Sequence, residues 1–375
     1  GDSYRRRVGR LARDAERLLP ALLGPLVSLP PAGALGPLSR FGFAGLRSAD
    51  SLARGWFVSE PARALFAGMA AHSILPLDRA ATSAIALVLM LAGHGDGWPF
   101  PRGGSAAITD ALVAHLEELG GRVACGHPVR SMNDLPEARV YLFDVAPRNL
   151  AAIAGERLPA RYRARLERFR HGPGSFKIDW ALDGPIPWSH EDCRRAGTVH
   201  DGGSLDEVAA AEAAPWAGAH AERPFVLVAQ PTLFDPSRAP AGKHVGWGYC
   251  HVPHGSNEDR TAAVEAQIER FAPGFRDRVL ARSTRTAADL EAWNPNYVGG
   301  DIAGGVSDLA QLVRRPVFGP TPYATPDPAI WLCSASTPPG GGVHGMSGAH
   351  AAEAILGAVF GRSPEPPKPA ESGAN

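Results

Sequence analysis

Lysine is almost missing from this sequence. Lys177, Lys243 and Lys368 are the three among 375 residues, so 35 of the 38 basic residues are Arg. Acidic residues also number 38, and the formal net charge is zero. A nucleic-acid-binding chain carries a basic excess, so the balance speaks against that class. The arginine bias reads as base composition, with one block around Arg157 to Arg170 standing out. Cysteine is sparse too. Cys125, Cys193, Cys250 and Cys333 lie far apart, with no Cys-x-x-Cys pair. That speaks against a disulfide framework and the common zinc patterns, and makes a reducing, cytoplasmic compartment the default.

Long hydrophobic runs are also lacking. The longest uncharged stretch without a proline, Ala80 to Gly95, is shorter than the roughly 20 residues a membrane span needs, and it reads as a buried helix. Pro20, Pro25, Pro30, Pro31 and Pro37 break the apolar stretch Leu18 to Leu38, which cannot be one helix. A surface-lying hydrophobic segment there would make a peripheral membrane contact. The chain opens Gly1-Asp2-Ser3-Tyr4-Arg5-Arg6-Arg7, with neither an initiator Met nor a signal peptide, and so reads as trimmed or as a fragment.

What remains is enough chain for one large or two ordinary domains. Leu11, Ala15, Leu18, Leu19 and Leu22, then Leu65, Met69 and Ala70, recur at helical spacing, so residues 1–95 read as helical. Trp98-Pro99-Phe100-Pro101-Arg102-Gly103-Gly104-Ser105 is a turn. Ser105 is placed to cap a helix with Ile108, Leu112, Leu116 and Leu119 on one face, stopped by Gly120 and Gly121. Short strands are expected at 122–125, 129–132 and 139–145. Residues 172–255 read as strands: Ser175 to Leu182 alternates polar and apolar residues, and Phe225 to Gln230 and His244 to Cys250 follow. A helix over 262–271 and a last strand over 329–333 complete the pattern. The tail 363–375 is rich in Pro and Glu and reads as disordered.

The most informative stretch is Leu332-Cys333-Ser334-Ala335-Ser336-Thr337-Pro338-Pro339-Gly340-Gly341-Gly342-Val343-His344-Gly345-Met346-Ser347-Gly348. A buried strand runs into a glycine loop and the loop into a helix. Glycine lets backbone approach a ligand closely, and a helix start offers free N–H groups and partial positive charge. Ser334, Ala335, Ser336, Gly340, Gly341, Gly342, Val343, His344, Gly345 and Met346 are therefore candidate ligand-binding residues.

This motif closely resembles the C-terminal FAD motif of phytoene desaturase-like oxidoreductases, in which the loop and helix start lie against the flavin. Trp98 to Ser105 looks like that family's Gly-Gly segment. Gly126-His127-Pro128-Val129-Arg130 looks like the strand whose backbone meets the adenine at the valine, here Val129. Residues 138–147 look like the strand returning beneath the cofactor. The resemblance implies an α/β, FAD/NAD(P)-binding Rossmann-like flavoprotein fold with an α+β substrate domain. The cofactor half would be 97–150 with 324–362, and the substrate half 1–96 with 151–323. Such proteins open with a strand, Gly-x-Gly-x-x-Gly and a helix that hold the FAD pyrophosphate. Here Gly93-His94-Gly95-Asp96-Gly97 lacks the third glycine and reads as a loop. The fold is thus expected to be incomplete, and the 375 residues to purify colourless where a form extended upstream purifies yellow.

The resemblance further implies hydride transfer from a lipophilic, isoprenoid or carotenoid-like small molecule to FAD. That scheme requires no protein acid or base, so no catalytic residue is assigned. An amine oxidase-like flavoenzyme and a non-catalytic remnant that binds no flavin are the alternatives. No metal site is expected. His244, His251 and His254 are the tightest His group, but Pro253 interrupts them and no carboxylate or Cys set stands beside them in sequence. They read as structural or solvent-facing, and His72 as a satisfied core residue. His344 stands apart because it lies inside the glycine loop. Lys177 is a weak active-site candidate. Trp180, Trp188 and Trp247 read as core residues first and cavity lining second.

Overall fold

The computed structural model describes residues 1–24, 33–95, 97–319 and 321–362. The amino-terminal third is helical, as the periodicity predicts: Asp2–Ala12, Ala15–Leu22, Leu35–Gly45, Ala49–Trp56, Glu60–Ala71 and Thr82–Gly95. Part of the proline-broken stretch, 25–32, lies outside the described residues, as do Asp96 and the tail 363–375. Thr82–Gly95 buries Ala86, Leu87, Met90 and Leu91 against Leu18, Phe41, Leu52 and Phe66. Among the described residues no helix is long and apolar enough to cross a membrane. In Glu60–Ala71 the inward face is Phe66, Ala67 and Ala70, while Leu65 is about half exposed.

Two sheets follow. The first is a parallel pair, β1 (Tyr141–Phe143) and β7 (Ile330–Leu332), registered Tyr141 to Ile330 and Phe143 to Leu332. Phe143, Ile330 and Leu332 pack with Leu150, Leu158 and Leu166. Trp331 packs with Tyr323, Ala351 and Ile355, which seats the last helix, Met346–Phe360. A parallel pair covered by helices is the core unit of α/β folds.

The second sheet is antiparallel, in the order β3 (Thr198–Asp201), β4 (Val226–Ala229), β5 (His244–Val252), β2 (Gly174–Leu182) and β6 (Val279–Arg285). Alternation in β2 sets its two faces. Phe176, Ile178, Trp180 and Leu182 turn toward Val264 and Ile268 of the helix Thr261–Phe271 and toward Phe275. Ser175, Lys177, Asp179 and Ala181 turn the other way, beside His251, Tyr249, Trp247 and Val245 of β5. Glycine is required where β4 and β5 pass closely: a Cβ on Gly248 would stand 2.8 Å from the Leu227 carbonyl oxygen. The sheet unit closes on itself at its ends. The Gly172 N–H donates to Asp301 Oδ2 (3.0 Å), His254 Nδ1–H donates to the Gly172 carbonyl (2.8 Å), and His171 Nδ1 lies 3.3 Å from the same Asp301 oxygen.

Three expectations fail. Residues 122–125 and 129–131 are not strands, and Met132–Asp134 is a 3-10 turn capped by Ser131 and Asp134. The third expected strand, 139–145, shrinks to β1. A short apolar run becomes a strand only where a neighbour completes its ladder, and among the described residues none does so for 122–131. The helix Ala106–Glu118 forms as its periodicity predicts, but its apolar face is not in a core: Ile108, Leu112, Leu116 and Leu119 are 40%, 66%, 44% and 74% exposed. No described element covers that face.

Candidate functional site

The glycine loop grows out of β7. Cys333 N–H donates to the Phe143 carbonyl (2.9 Å), carrying the ladder one residue past the strand. The chain then folds on itself. The Ser334 carbonyl accepts from the Thr337 N–H and from Thr337 Oγ1–H, each at 2.8 Å. Ser336 Oγ–H donates to the Gly304 carbonyl (2.8 Å), and the Tyr323 hydroxyl to the Pro338 carbonyl (3.1 Å). Ser334, Ser336 and Thr337 are buried. Beneath them lies Arg315, 1% exposed, whose guanidinium donates to the carbonyls of Ala303, Gly304, Val306 and Ala335 at 2.8–3.3 Å. Burial lowers this guanidinium to about 10, opposed by the charge of Asp301.

Above this anchored foot the crest is open. Gly341, Gly342 and Val343 are exposed, Val343 at 95%. Gly340, Gly342 and Gly345 take φ of 113°, 150° and 66°, a region that disfavours side chains. Gly341 is constrained by contact instead, since a Cβ there would lie 2.7 Å from the Ala303 carbonyl oxygen. His344 is half-buried, and its Nδ1 accepts from the Met346 N–H (3.1 Å), serving the first turn of Met346–Phe360. Burial lowers the His344 imidazole most, a hydrogen bond with Gly340 opposes this, and His350 lowers it further. Among the described residues the Ser347 and Gly348 amides have no backbone acceptor, so the helix start keeps donors for a ligand.

The structure thus brings Ser334 to Met346 together as one anchored loop and helix start. Val129 is half-buried on the irregular segment ahead of Met132–Asp134, and no described hydrogen bond joins it to the loop. The loop's close approach, its open crest and its unpaired amides suit one edge of a large, electron-rich cofactor. A second glycine loop, of the kind that holds a pyrophosphate between strand and helix, does not occur among the described residues: Gly93 and Gly95 close the helix Thr82–Gly95. That segment was expected to be a loop, and helix continuation as far as Gly95 overrides the reading.

A separate cavity of about 1010 Å³ lies on the second sheet. Its walls are aromatic: Trp98 and Phe100 from the turn after Gly97, Phe234, and Trp180 and Trp247 from β2 and β5. Phe100 meets Phe234 edge-on at 6.0 Å. The turn is pinned by its Gly103 N–H, which donates to Asp235 Oδ2 (2.7 Å). Charges in the lining are largely internally matched. Lys177 pairs with Asp179 and sits over the Trp247 ring (5.9 Å), Arg282 pairs with Glu265 (2.8 Å), and Arg238 donates to the Gly103 carbonyl. Trp180 and Trp247 are therefore cavity residues, Trp180 while also buried. Trp188 is core, its indole N–H donating to Gln230 Oε1 (3.0 Å).

Sequence reasoning missed a buried polar cluster where the helices cover the other end of the same sheet face. His72 Nε2 and His200 Nε2 are 2.9 Å apart. His251 Nδ1 lies 2.8 Å from the Glu212 carboxylate, both side chains being 2% exposed. Burial, then the charges of His200 and His251, push His72 down to about 3, and burial pushes His200 down to about 4. The carboxylate beside His251 comes from the helix Leu205–Ala213, distant in sequence. Among the described residues no group of three or more His, Cys, Asp or Glu is placed to hold a metal ion.

No protein-family model matches the chain. It is 27% identical over 346 residues to the pyridine nucleotide-disulfide oxidoreductase domain-containing protein 2 of Rattus norvegicus, a match covering 80% of this chain and 59% of the relative. The Mus musculus protein of the same name is also 27% identical, over 345 residues. The chain therefore spans a little under three-fifths of the length of these relatives. Among solved structures, wild-type putrescine oxidase bound to putrescine superposes with a TM-score of 0.58 at 15% identity, covering 96% of this chain and 76% of that one. An oxidoreductase from Methanosarcina mazei superposes at 0.55 and 17% identity, covering 83% and 68%. The fold is the Rossmann-like flavoprotein fold of these solved structures. In this flavoprotein fold the parallel pair β1–β7 with its glycine loop and the antiparallel sheet with its cavity are two distinct sheets, and none of the described residues lines both the loop and the cavity.

Proposed function

We propose that this flavoprotein fold serves an FAD-dependent dehydrogenation or desaturation of a lipophilic small molecule, of the phytoene desaturase kind. The flavin would lie along Ser334, Ala335, Ser336 and Gly340 to Met346, with Val129 at the adenine end, and the substrate in the cavity of about 1010 Å³. Bound FAD would supply the chemistry by accepting a hydride from a substrate carbon. The chain's own residues hold the loop from below, keep helix-start amides free and present an apolar wall that excludes water.

The observation that carries the reading is the anchored glycine loop with its open crest. The cavity supports the substrate class. Its aromatic walls suit an apolar body, and its charges are matched within the protein, Lys177 by Asp179 and Arg282 by Glu265. A protonated amine would find no unpaired carboxylate among the lining residues, which favours the apolar substrate over the amine oxidase alternative. The oxidoreductase name of the rat relative supports the reaction class.

Fluorescence of FAD titrated against the protein tests the loop. Saturable quenching is expected, and Gly341→Val should abolish it, because the new side chain meets the Ala303 carbonyl. Quenching that is equal in the variant would make the loop structural. For the substrate, the reconstituted flavin should bleach anaerobically with a long-chain polyene in micelles and stay oxidised with putrescine. Bleaching by the amine alone would move the protein to the amine oxidase branch.

A further inference from the structure

The arginine block that stands out in the sequence is not spent on the flavin loop or the substrate cavity. It lines a third hollow, of about 530 Å³, between the helix Ala160–Glu167 and the segment 310–318. Four arginines line it: Arg165, Arg168, Arg170 and Arg314. No carboxylate does. Among the described residues only Arg170 of the four is ion-paired, to Asp308 at 2.8 Å. Arg168 donates through Nε to the Ala164 carbonyl within its own helix (2.9 Å), which leaves its terminal nitrogens to the hollow. Base composition explains many arginines but not this segregation, because over the whole chain acidic and basic residues are equal in number.

The hollow also has flat apolar walls. Phe169 is buried and fixed, filling the space beside Gly305, where a Cβ would stand 2.3 Å from the ring. Phe318, across from it, is 74% exposed. Behind Phe169 lies the Arg315 guanidinium, 5.9 Å from the ring centroid, which adds a fifth positive charge with no bonded carboxylate. The groups opposing these charges are Asp301, whose charge acts on Arg315, Asp308, already paired, exposed Glu167, and the carboxyl end of Ala160–Glu167, worth about half a negative charge. Positive charge wins by more than one unit.

We propose that this hollow is a binding site for a phosphate-bearing ligand whose ring or apolar part lies against Phe169 and Phe318. Guanidinium forks match phosphate oxygens in geometry and stay charged at every physiological pH. The site does not depend on the flavin reading, and it touches the flavin loop through one residue, Arg315, which donates to the Ala335 carbonyl at the loop's foot. A soluble ester and a lipid headgroup present the same phosphate chemistry to this hollow.

Calorimetric titration of the whole protein with pyrophosphate at low ionic strength tests the site, beside sedimentation with vesicles of phosphatidylglycerol in phosphatidylcholine. One pyrophosphate should bind per chain, and Arg165→Gln with Arg314→Gln should weaken it by about tenfold or more. Both side chains are exposed, so melting of the double variant should match the parent and confirm an intact fold. Sedimentation with anionic vesicles, lost in the same variant, without pyrophosphate binding, assigns the phosphate to a lipid headgroup. Binding of neither, or binding that the variant leaves unchanged, overturns the proposal.

Discussion

The paired imidazoles His72 and His200 should make this protein selectively fragile in mild acid. Burial holds both neutral when folded, at about 3 and about 4, whereas an unfolded chain returns each to the ordinary imidazole value of about 6.5. For a base lowered by folding, the stabilisation is fully present above the unfolded value and is lost as pH falls toward the folded one. Each group then contributes about 1.4 kcal/mol per pH unit below 6.5. Between pH 7.5 and 5 the two together remove about 4 kcal/mol. Asp201, beside His200, works in the opposite direction. Burial raises its carboxyl well above the usual range, with Arg270 opposing, so its contribution is present in acid and lost as pH rises. A variant carrying His72→Gln and His200→Gln separates the terms, because Asp201 and every other carboxylate cancel in the difference. Urea unfolding across this pH range should show the parent losing about 4 kcal/mol more than the variant. A difference that stays within about 1 kcal/mol across the range would refute the assignment of two buried neutral imidazoles.

Further outcomes follow from single contacts. Trp180→Ala should cost about 3–5 kcal/mol in urea unfolding, because it empties a site packed edge-on against Phe275 at 5.3 Å and removes a hydrogen bond to Glu265. Arg315→Ala should cost about 2–5 kcal/mol and speed hydrogen exchange over 334–340. It orphans the Ala303 and Ala335 carbonyls, while Gly304 and Val306 keep Ser336 and Gln311. Leu112→Glu with Leu116→Glu should leave the melting temperature nearly unchanged and lower light scattering on concentration, since both side chains lie on the uncovered face of their helix.

Sequence reading worked where one element's own pattern fixes its state. Alternation from Ser175 to Leu182, the apolar run from Phe225 and the aromatic run from His244 all became strands. It failed where a second element decides. β6 reads Val-Leu-Ala-Arg-Ser-Thr-Arg, with no apolar alternation, and is a strand because β2 pairs with it from Lys177 to Leu182. The run 122–125 has strand composition but no partner among the described residues. At the candidate site the glycine loop was legible in full, because its residues are contiguous. Arg315, Ala303 and Gly304, which hold the loop's foot, come from a segment with no recognisable pattern, and the Glu212–His251 pair joins a helix to a strand. Nor was the reason for glycine at 341 legible: its neighbours carry the positive φ, and Gly341 is kept small by the Ala303 carbonyl.

The closure of the antiparallel sheet at Gly172 and Asp301 has a consequence for how such a chain could be assembled or divided. A unit whose two ends are hydrogen-bonded to each other can be inserted into a host, or removed from it, without stretching the host chain. Residues 172–301 meet that condition: Gly172 and Asp301 touch, and His254 ties the sheet's far loop to the same junction. A short turn bridging 171 to 302 would leave β1, β7 and the glycine loop in register, since their pairing never passes through the sheet. The segment behaves, in genetic terms, as a cassette. Its cavity-lining surface can be exchanged while the strand pair that carries the glycine loop stays in place.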